Sequence, residues 1–136
     1  MVRMELEYEG GLRCAARHVP SSSALSTDAP VDNEGRGESF SPTDLVATAL
    51  ASCMLTTMGI VARRHRWPLE GARASVEKHM AVDPVRRLGR LVVRFQMPPE
   101  LPEESHRILE RTAYTCPVHR SLHPDIDLDV AFDWGD

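Results

Sequence analysis

Three cysteines, Cys14, Cys53 and Cys116, are the residues of this 136-residue chain best suited to covalent chemistry. They cannot all pair within one chain, and no C-x-x-C occurs, so neither a disulfide framework nor a zinc ribbon fits. Met1 to Gly10 is charged and alternating, without the basic–apolar–small order of a secretory leader. The expectation is therefore a cytoplasmic chain whose thiols are reduced, reactive or simply buried.

Each cysteine has its own surroundings. Cys53 lies in ALASCMLTTM, with Ala49, Leu50, Thr56 and Thr57 as helical neighbours. A buried structural cysteine is one reading, since free cysteine is among the most buried residue types. A reactive thiolate is the other, and in apolar surroundings it needs a cation brought from elsewhere. Cys116 stands directly before Pro117 in YTCPVHRSL. If Pro117 opens a helical turn, Cys116 is its N-cap and the sulfur meets free backbone N–H groups. The alternative is a loop cysteine that ends up buried. His119 and His123 follow closely, which leaves open a metal site drawn from Cys53, Cys116, His119 and His123. Cys14, in line with Leu12 and Ala16 and without polar company, reads as core.

Composition narrows the classes of function. Hydrophobic residues make up 42% and charged residues 26%, as in ordinary globular domains, which argues against disorder. Sixteen basic against twenty acidic residues leave a net charge of −4, the wrong balance for neutralising phosphates, so no nucleic-acid partner is expected. Aromatics at 5% disfavour a base-stacking platform. Leu45 to Ala62 carries no charge and is followed by Arg63, Arg64 and Arg66, superficially a membrane span with a basic flank. Thr48, Ser52, Thr56, Thr57, Gly59 and four alanines dilute its apolarity, so it reads as a buried central helix, with no membrane partner.

The elements that must position these residues follow from pattern. Met4, Leu6 and Tyr8 alternate as an opening strand, Gly10–Gly11 reads as its turn, and Leu12, Cys14, Ala16 and His18 share one face of a second strand. Asp28 to Phe40 is a long, charged, glycine-bearing loop of the kind that often carries function. Ser41 as N-cap, Pro42 at the first helical position and Asp44 three residues after the cap start a helix. It runs to the arginines before Trp67–Pro68, about 24 residues or ~36 Å. Ala72–Val82 and Leu88–Met97 are strand-like, and Pro102 through Thr115 is a second helix with Leu101, Ile108, Leu109 and Thr112 near helical spacing. Asp125–Trp134 closes as a strand with Ile126, Leu128, Val130 and Phe132 inward and the aspartates outward. The order βββ–α–ββ–α–β predicts one α+β domain over 1–136, an antiparallel sheet packed on a long central helix.

Taken together, DAPVDNEGRGESFSPTDLVATALASCMLTTM and, 63 residues after Cys53, YTCPVHRSL resemble the OsmC/Ohr family of osmotically inducible and organic hydroperoxide resistance proteins. The shared features are D-x-P before a glycine-bearing loop, S-P-T-D-L opening the helix, A-L-x-S-C within it and Y-x-C-P-V closing the second helix. The resemblance extends over essentially the whole chain. It implies an intertwined homodimer with interface active sites, and a cysteine-based peroxidase without haem or other cofactor or metal. Cys53 would attack the O–O bond of an organic hydroperoxide and become a sulfenic acid; Cys116 would condense with it to a disulfide. A dithiol reductant, thioredoxin-like or a lipoyl protein, would then reset the pair. The family uses an arginine held by a carboxylate to activate the attacking thiol. Arg36 is the first candidate here, ahead of Arg13 and Arg17. Where many members have N-P-E, this chain has Ser41–Pro42–Thr43, which leaves Glu38 or Asp44 as the carboxylate. The competing expectations are a non-catalytic member that binds a small apolar ligand, and the metal site above.

Overall fold

The computed structural model describes residues 1–135, whose contacts form two compact units, Met1–Val46 and a second that starts at Ala47. In the first, β1 (Met4–Gly10), β2 (Arg13–His18) and β3 (Ala24–Asp28) make an antiparallel sheet in that order. Gly11 and Leu12 form the β1–β2 turn, with φ of 60° and 63°. Positive φ at both central residues matches the twist of a tight hairpin. Leu12 therefore sits exposed in the turn rather than in the strand where alternation put it. Tyr8, Cys14 and Thr27 are in register across the sheet, as are Leu6, Ala16 and Leu25. Met4, Leu6, Tyr8 and Leu25 on this face remain exposed, so Cys14 is half-buried and belongs to no packed core, contrary to its expected place.

The segment from Asp28 to Phe40 closes on itself. The Asp28 N–H donates to the Phe40 carbonyl at 3.0 Å and the Gly37 N–H to the Ala29 carbonyl at 3.2 Å, around a 3-10 turn at Val31–Asn33. Any side chain at Gly35 would collide with the Ala29 backbone. The long helix α1 (Pro42–His65) then starts as its sequence predicts. Ser41 Oγ accepts from the Asp44 N–H at 3.0 Å, and Asp44 Oδ2 accepts from the Ser41 N–H at 2.9 Å. This reciprocal box satisfies two otherwise orphaned donors.

The second unit holds most of α1, then β4 (Arg73–Ala81), β5 (Arg87–Gln96), α2 (Glu103–Ala113), a short α3 (Pro117–Ser121) and β6 (Asp127–Asp133). Its sheet runs β4-β5-β6, with β4 antiparallel and β6 parallel to β5. The class is α+β as expected, but there are two three-stranded sheets and the second is mixed. The chain leaves β5, crosses through α2 and α3 and re-enters the sheet, a connection that returns a strand parallel. Leu50, Met54 and Met58 of α1, Leu91, Val93 and Phe95 of β5, and Leu109 and Ala113 of α2 form the core. Each large side chain so buried contributes roughly 1.5–3 kcal/mol. The α2 face is Ser105, Leu109 and Ala113, and Ile108 is turned outward. By length and composition α1 could cross a membrane, yet Leu50, Met54 and Met58 are fully buried within its unit.

Candidate active site

Cys53 occupies the middle of α1, half-buried, between the fully buried Leu50 and Met54. One turn on, Thr57 Oγ1 donates to the Cys53 carbonyl at 2.8 Å. Pro117 does open a helical turn: α3 begins there, and Cys116 is its N-cap with extended backbone (φ −64°, ψ 144°). Proline fits this first position because its missing N–H is one the helix start leaves unpaired anyway. Cys116 Sγ accepts from the His119 N–H at 3.2 Å, and the cysteine is also fully buried. The two sequence readings of Cys116, cap and buried thiol, thus hold together.

The fold brings the two free thiols close enough to interact electrostatically, although 63 residues separate them in the sequence. The Cys116 thiol titrates above the ordinary cysteine range. Burial is the main cause, opposed by the His119 N–H and then reinforced by the hydrogen bond to Cys53 and the charge Cys53 would carry; the Val118 N–H pulls weakly the other way. On α3, the His119 ring meets Tyr114 edge-on at 5.6 Å, and its Nδ1 is buried without a hydrogen-bond partner. Burial also pushes the Tyr114 hydroxyl up, with smaller contributions from Glu110 and Asp129.

His123 Nδ1 accepts from the Asp125 N–H at 3.0 Å. Among the described residues no group of three or more His, Cys, Asp or Glu side chains is arranged to hold a metal ion, so the four-ligand alternative is not assembled.

The arginine candidates lie in the first unit. Arg36 is 79% exposed, with Nη1 3.8 Å from Glu38 Oε1. Arg13, on β2 and 36% exposed, reaches Glu38 Oε2 at 3.9 Å. Arg17 is engaged by Glu5 at 2.7 Å. Of the two carboxylates offered by the sequence, Asp44 serves the helix cap, whereas Glu38 faces both remaining arginines. Sequence reasoning missed Asp28, which is fully buried at the end of β3. Its Oδ2 accepts from the Glu38 N–H at 3.0 Å and its Oδ1 is unpaired. The available signal was an aspartate ending a strand at the neck of a glycine-bearing loop. His119 was weighed only as a metal ligand; its place three residues after a capping cysteine was the signal overlooked.

The profile of the OsmC-like protein family matches residues 35–131. A protein of Psychrobacter arcticus, provisionally named an osmotic stress induced and detoxification response protein, is 47% identical. Its structure aligns over 98% of this chain and 96% of its own with a TM-score of 0.91. An organic hydroperoxide resistance protein OsmC from Legionella pneumophila has the same fold at 16% identity, with coverage of 98% and 96% and a TM-score of 0.78. A Vibrio cholerae protein provisionally named for organic hydroperoxide resistance, with captopril bound in one of its active sites, aligns at 20% identity, 98% and 92% coverage and a TM-score of 0.75. No protein of curated description matches the chain.

Proposed function

This chain belongs to the OsmC-like protein family, and on that premise we propose that it is a cytoplasmic, thiol-dependent peroxidase that reduces organic hydroperoxides to alcohols. The reading is carried by one observation: two free thiols, far apart in the sequence, brought close enough to interact, one fully buried and the other half-buried. Cys53, the less buried of the two, is the attacking one. It displaces the alkoxide from the distal peroxide oxygen, so that one oxygen stays on sulfur as a sulfenic acid and the alcohol leaves with a proton. Cys116 then bonds to the Cys53 sulfur, the hydroxyl departs as water, and a dithiol reductant (thioredoxin-like or a lipoyl protein) returns both thiols. Half-burial of Cys53 among Leu50, Met54 and Leu55 suits an alkyl chain better than hydrogen peroxide.

The activating arginine belongs to this proposal as well. Arg36 is our first candidate; Arg13 shares its carboxylate, Glu38, and is the less solvated of the two. Homodimer formation is also part of it. The exposed row Met4, Leu6 and Tyr8 on β1 is an apolar sheet face, and a second copy of the chain is the cover we assign to it.

Incubation of reduced protein with cumene hydroperoxide and a dithiol tests the function. Catalytic loss of hydroperoxide, faster than with hydrogen peroxide, is expected, and a Cys53–Cys116 disulfide should form when the reductant is omitted. Unchanged thiols and unconsumed hydroperoxide would refute the proposal. That result would favour a non-catalytic member binding a small apolar ligand, a reading supported by Thr43 where the family resemblance implies a glutamate. The captopril held by the Vibrio cholerae protein is a small ligand in a site of the same fold.

A further inference from the structure

Along the C-terminal half of α1, a cleft of about 840 Å³ opens between the helix and the segment 67–72 that leads into β4. That volume is within the ordinary range for small-molecule sites, roughly 300–1,000 Å³. Leu55, Ile60, Trp67 and Leu69 give it apolar walls, and Arg63 and Arg66 stand at one end. Three features of the lining are not explained by the fold alone. Gly59 lies inside α1, where glycine weakens a helix relative to alanine. Packing does not demand it, because a β-carbon there would meet only Leu69 Cδ2, at 3.8 Å, an ordinary contact. Arg66 lies just past the helix at φ 58°, a left-handed conformation that glycine supplies at less cost. Finally, no side-chain hydrogen bond or ion pair within 4.0 Å engages Arg63 or Arg66 among the described residues, although Glu70 lines the same cleft. The helix dipole does not account for both arginines. Arg64 and His65 occupy the last turn without lining the cleft, and Arg66 stands beyond the helix.

We propose that this cleft binds a medium-chain aliphatic carboxylate, its chain lying along α1 over Gly59 and its head group between Arg63 and Arg66. From Leu55 to Arg63 the helix rises about 12 Å at 1.5 Å per residue, which suits an acyl chain of about ten carbons. Leu55, Gly59 and Arg63 are spaced by four and so share one face, along which such a chain can run. The missing side chain at Gly59 lets it approach the helix backbone. Two guanidinium groups against one carboxylate, Glu70, leave a single positive charge in the cleft, which matches a monoanion. Guanidinium forks suit a carboxylate in particular, since both oxygens can accept at once. None of the lining residues is a thiol or a candidate for thiol activation, so the inference stands apart from the peroxidase reading.

Titration calorimetry of the whole protein with decanoate, kept below its micelle concentration, tests this. Saturable binding of one decanoate per chain is expected. Decanol, which lacks the charge, and acetate, which lacks the chain, should each bind at least tenfold more weakly. Two variants keep the fold out of the outcome. Arg66→Gly removes a guanidinium while relieving the left-handed backbone, so its urea midpoint should not fall although decanoate affinity drops about tenfold. Gly59→Ala should raise the midpoint, as a better helix former, yet weaken decanoate about tenfold by placing a methyl group where the chain lies. No saturable binding by the wild type, or equal affinity in the wild type and both variants, would overturn the proposal. Decanol binding as tightly as decanoate would overturn the role given to the arginines. A wild type that binds no decanoate, with both variants shifted toward monomer in light scattering, would give the cleft to a second copy of the chain and refute the ligand site.

Discussion

Replacing Cys116 by serine separates attack from resolution. The hydroxyl stays on the α3 N-cap, where oxygen accepts the His119 N–H at least as well as sulfur does at 3.2 Å, so the start of α3 is kept. It also keeps a polar group near the Cys53 sulfur. The first step therefore loses at most the worth of one hydrogen bond, about 0.5–1.5 kcal/mol net. At 1.4 kcal/mol per factor of ten, the rate of reaction with hydroperoxide should change by no more than about tenfold. The second step loses its nucleophile altogether. Intact-mass measurement should show the wild type losing two hydrogens on oxidation, and Cys116→Ser gaining one oxygen. With excess hydroperoxide a second oxygen should follow as Cys53 climbs irreversibly to sulfinic acid. Turnover supported by a dithiol should be lost. If Cys116→Ser stays unmodified under conditions that fully oxidise the wild type, Cys116 is the attacking thiol and the roles are reversed.

Cys53→Ser should abolish hydroperoxide consumption, because an alcohol is far less nucleophilic than a thiolate; Cys14→Ser, altering a half-buried strand residue, should retain turnover, and equal loss in two folded variants would contradict the assignment. Light scattering should give a dimer at micromolar concentration, and Leu6→Asp on the exposed face of β1 should shift it toward monomer; a stable wild-type monomer would refute the proposed assembly. The raised Cys116 pKa favours the thiol in the folded chain, so its contribution to stability is complete below the unfolded pKa near ~8.5 and is lost as pH rises through the folded value. Urea midpoints of the reduced protein should therefore fall between neutral and strongly alkaline pH by more in the wild type than in Cys116→Ala. Asp129, held below the usual carboxylate range by hydrogen bonds from Arg94 and then Arg90, contributes stability that is present above the unfolded pKa and disappears as pH falls through the lower folded one; Asp129→Asn should flatten the acid limb of the stability curve.

Local signals were the legible ones. The Ser41–Asp44 box and the cap at Cys116 need only neighbours within one turn, and both are present at the residues the sequence indicates. The inward face of β6 was equally plain from its alternation. The direction of β6 was not, because parallel pairing depends on a crossover through α2 and α3 that no local pattern encodes. Leu12 shows the same limit at short range: its type argued for a buried strand position, whereas the twist of the hairpin required positive φ there. Ile108 was misplaced because the α2 face follows a spacing of four, from Leu101 through Ser105 and Leu109 to Ala113. At the site, the contact between Cys53 and Cys116 is a tertiary fact. The sequence supplied it only through resemblance, and it could not reveal which buried polar atoms would lack partners.

Cys116 also shows two rules in opposition. A sulfur at a helix start should find its thiolate stabilised by the N–H groups and the positive end of the helix dipole. Two such N–H groups, from His119 and Val118, do act on it in that direction. They are outweighed, because α3 has only five residues and the cysteine is fully buried, so desolvation dominates. The same local structure that would make an exposed cysteine acidic here keeps a buried one protonated. That outcome suits a resolving thiol: a second thiolate near Cys53 would repel the attacking charge and compete for oxidant, whereas a protonated thiol waits until the sulfenic acid exists. As a pure cap, serine would serve at least as well as cysteine, since sulfur is the weaker acceptor. Helix capping therefore does not explain why sulfur occupies this position, and the contact with Cys53 does.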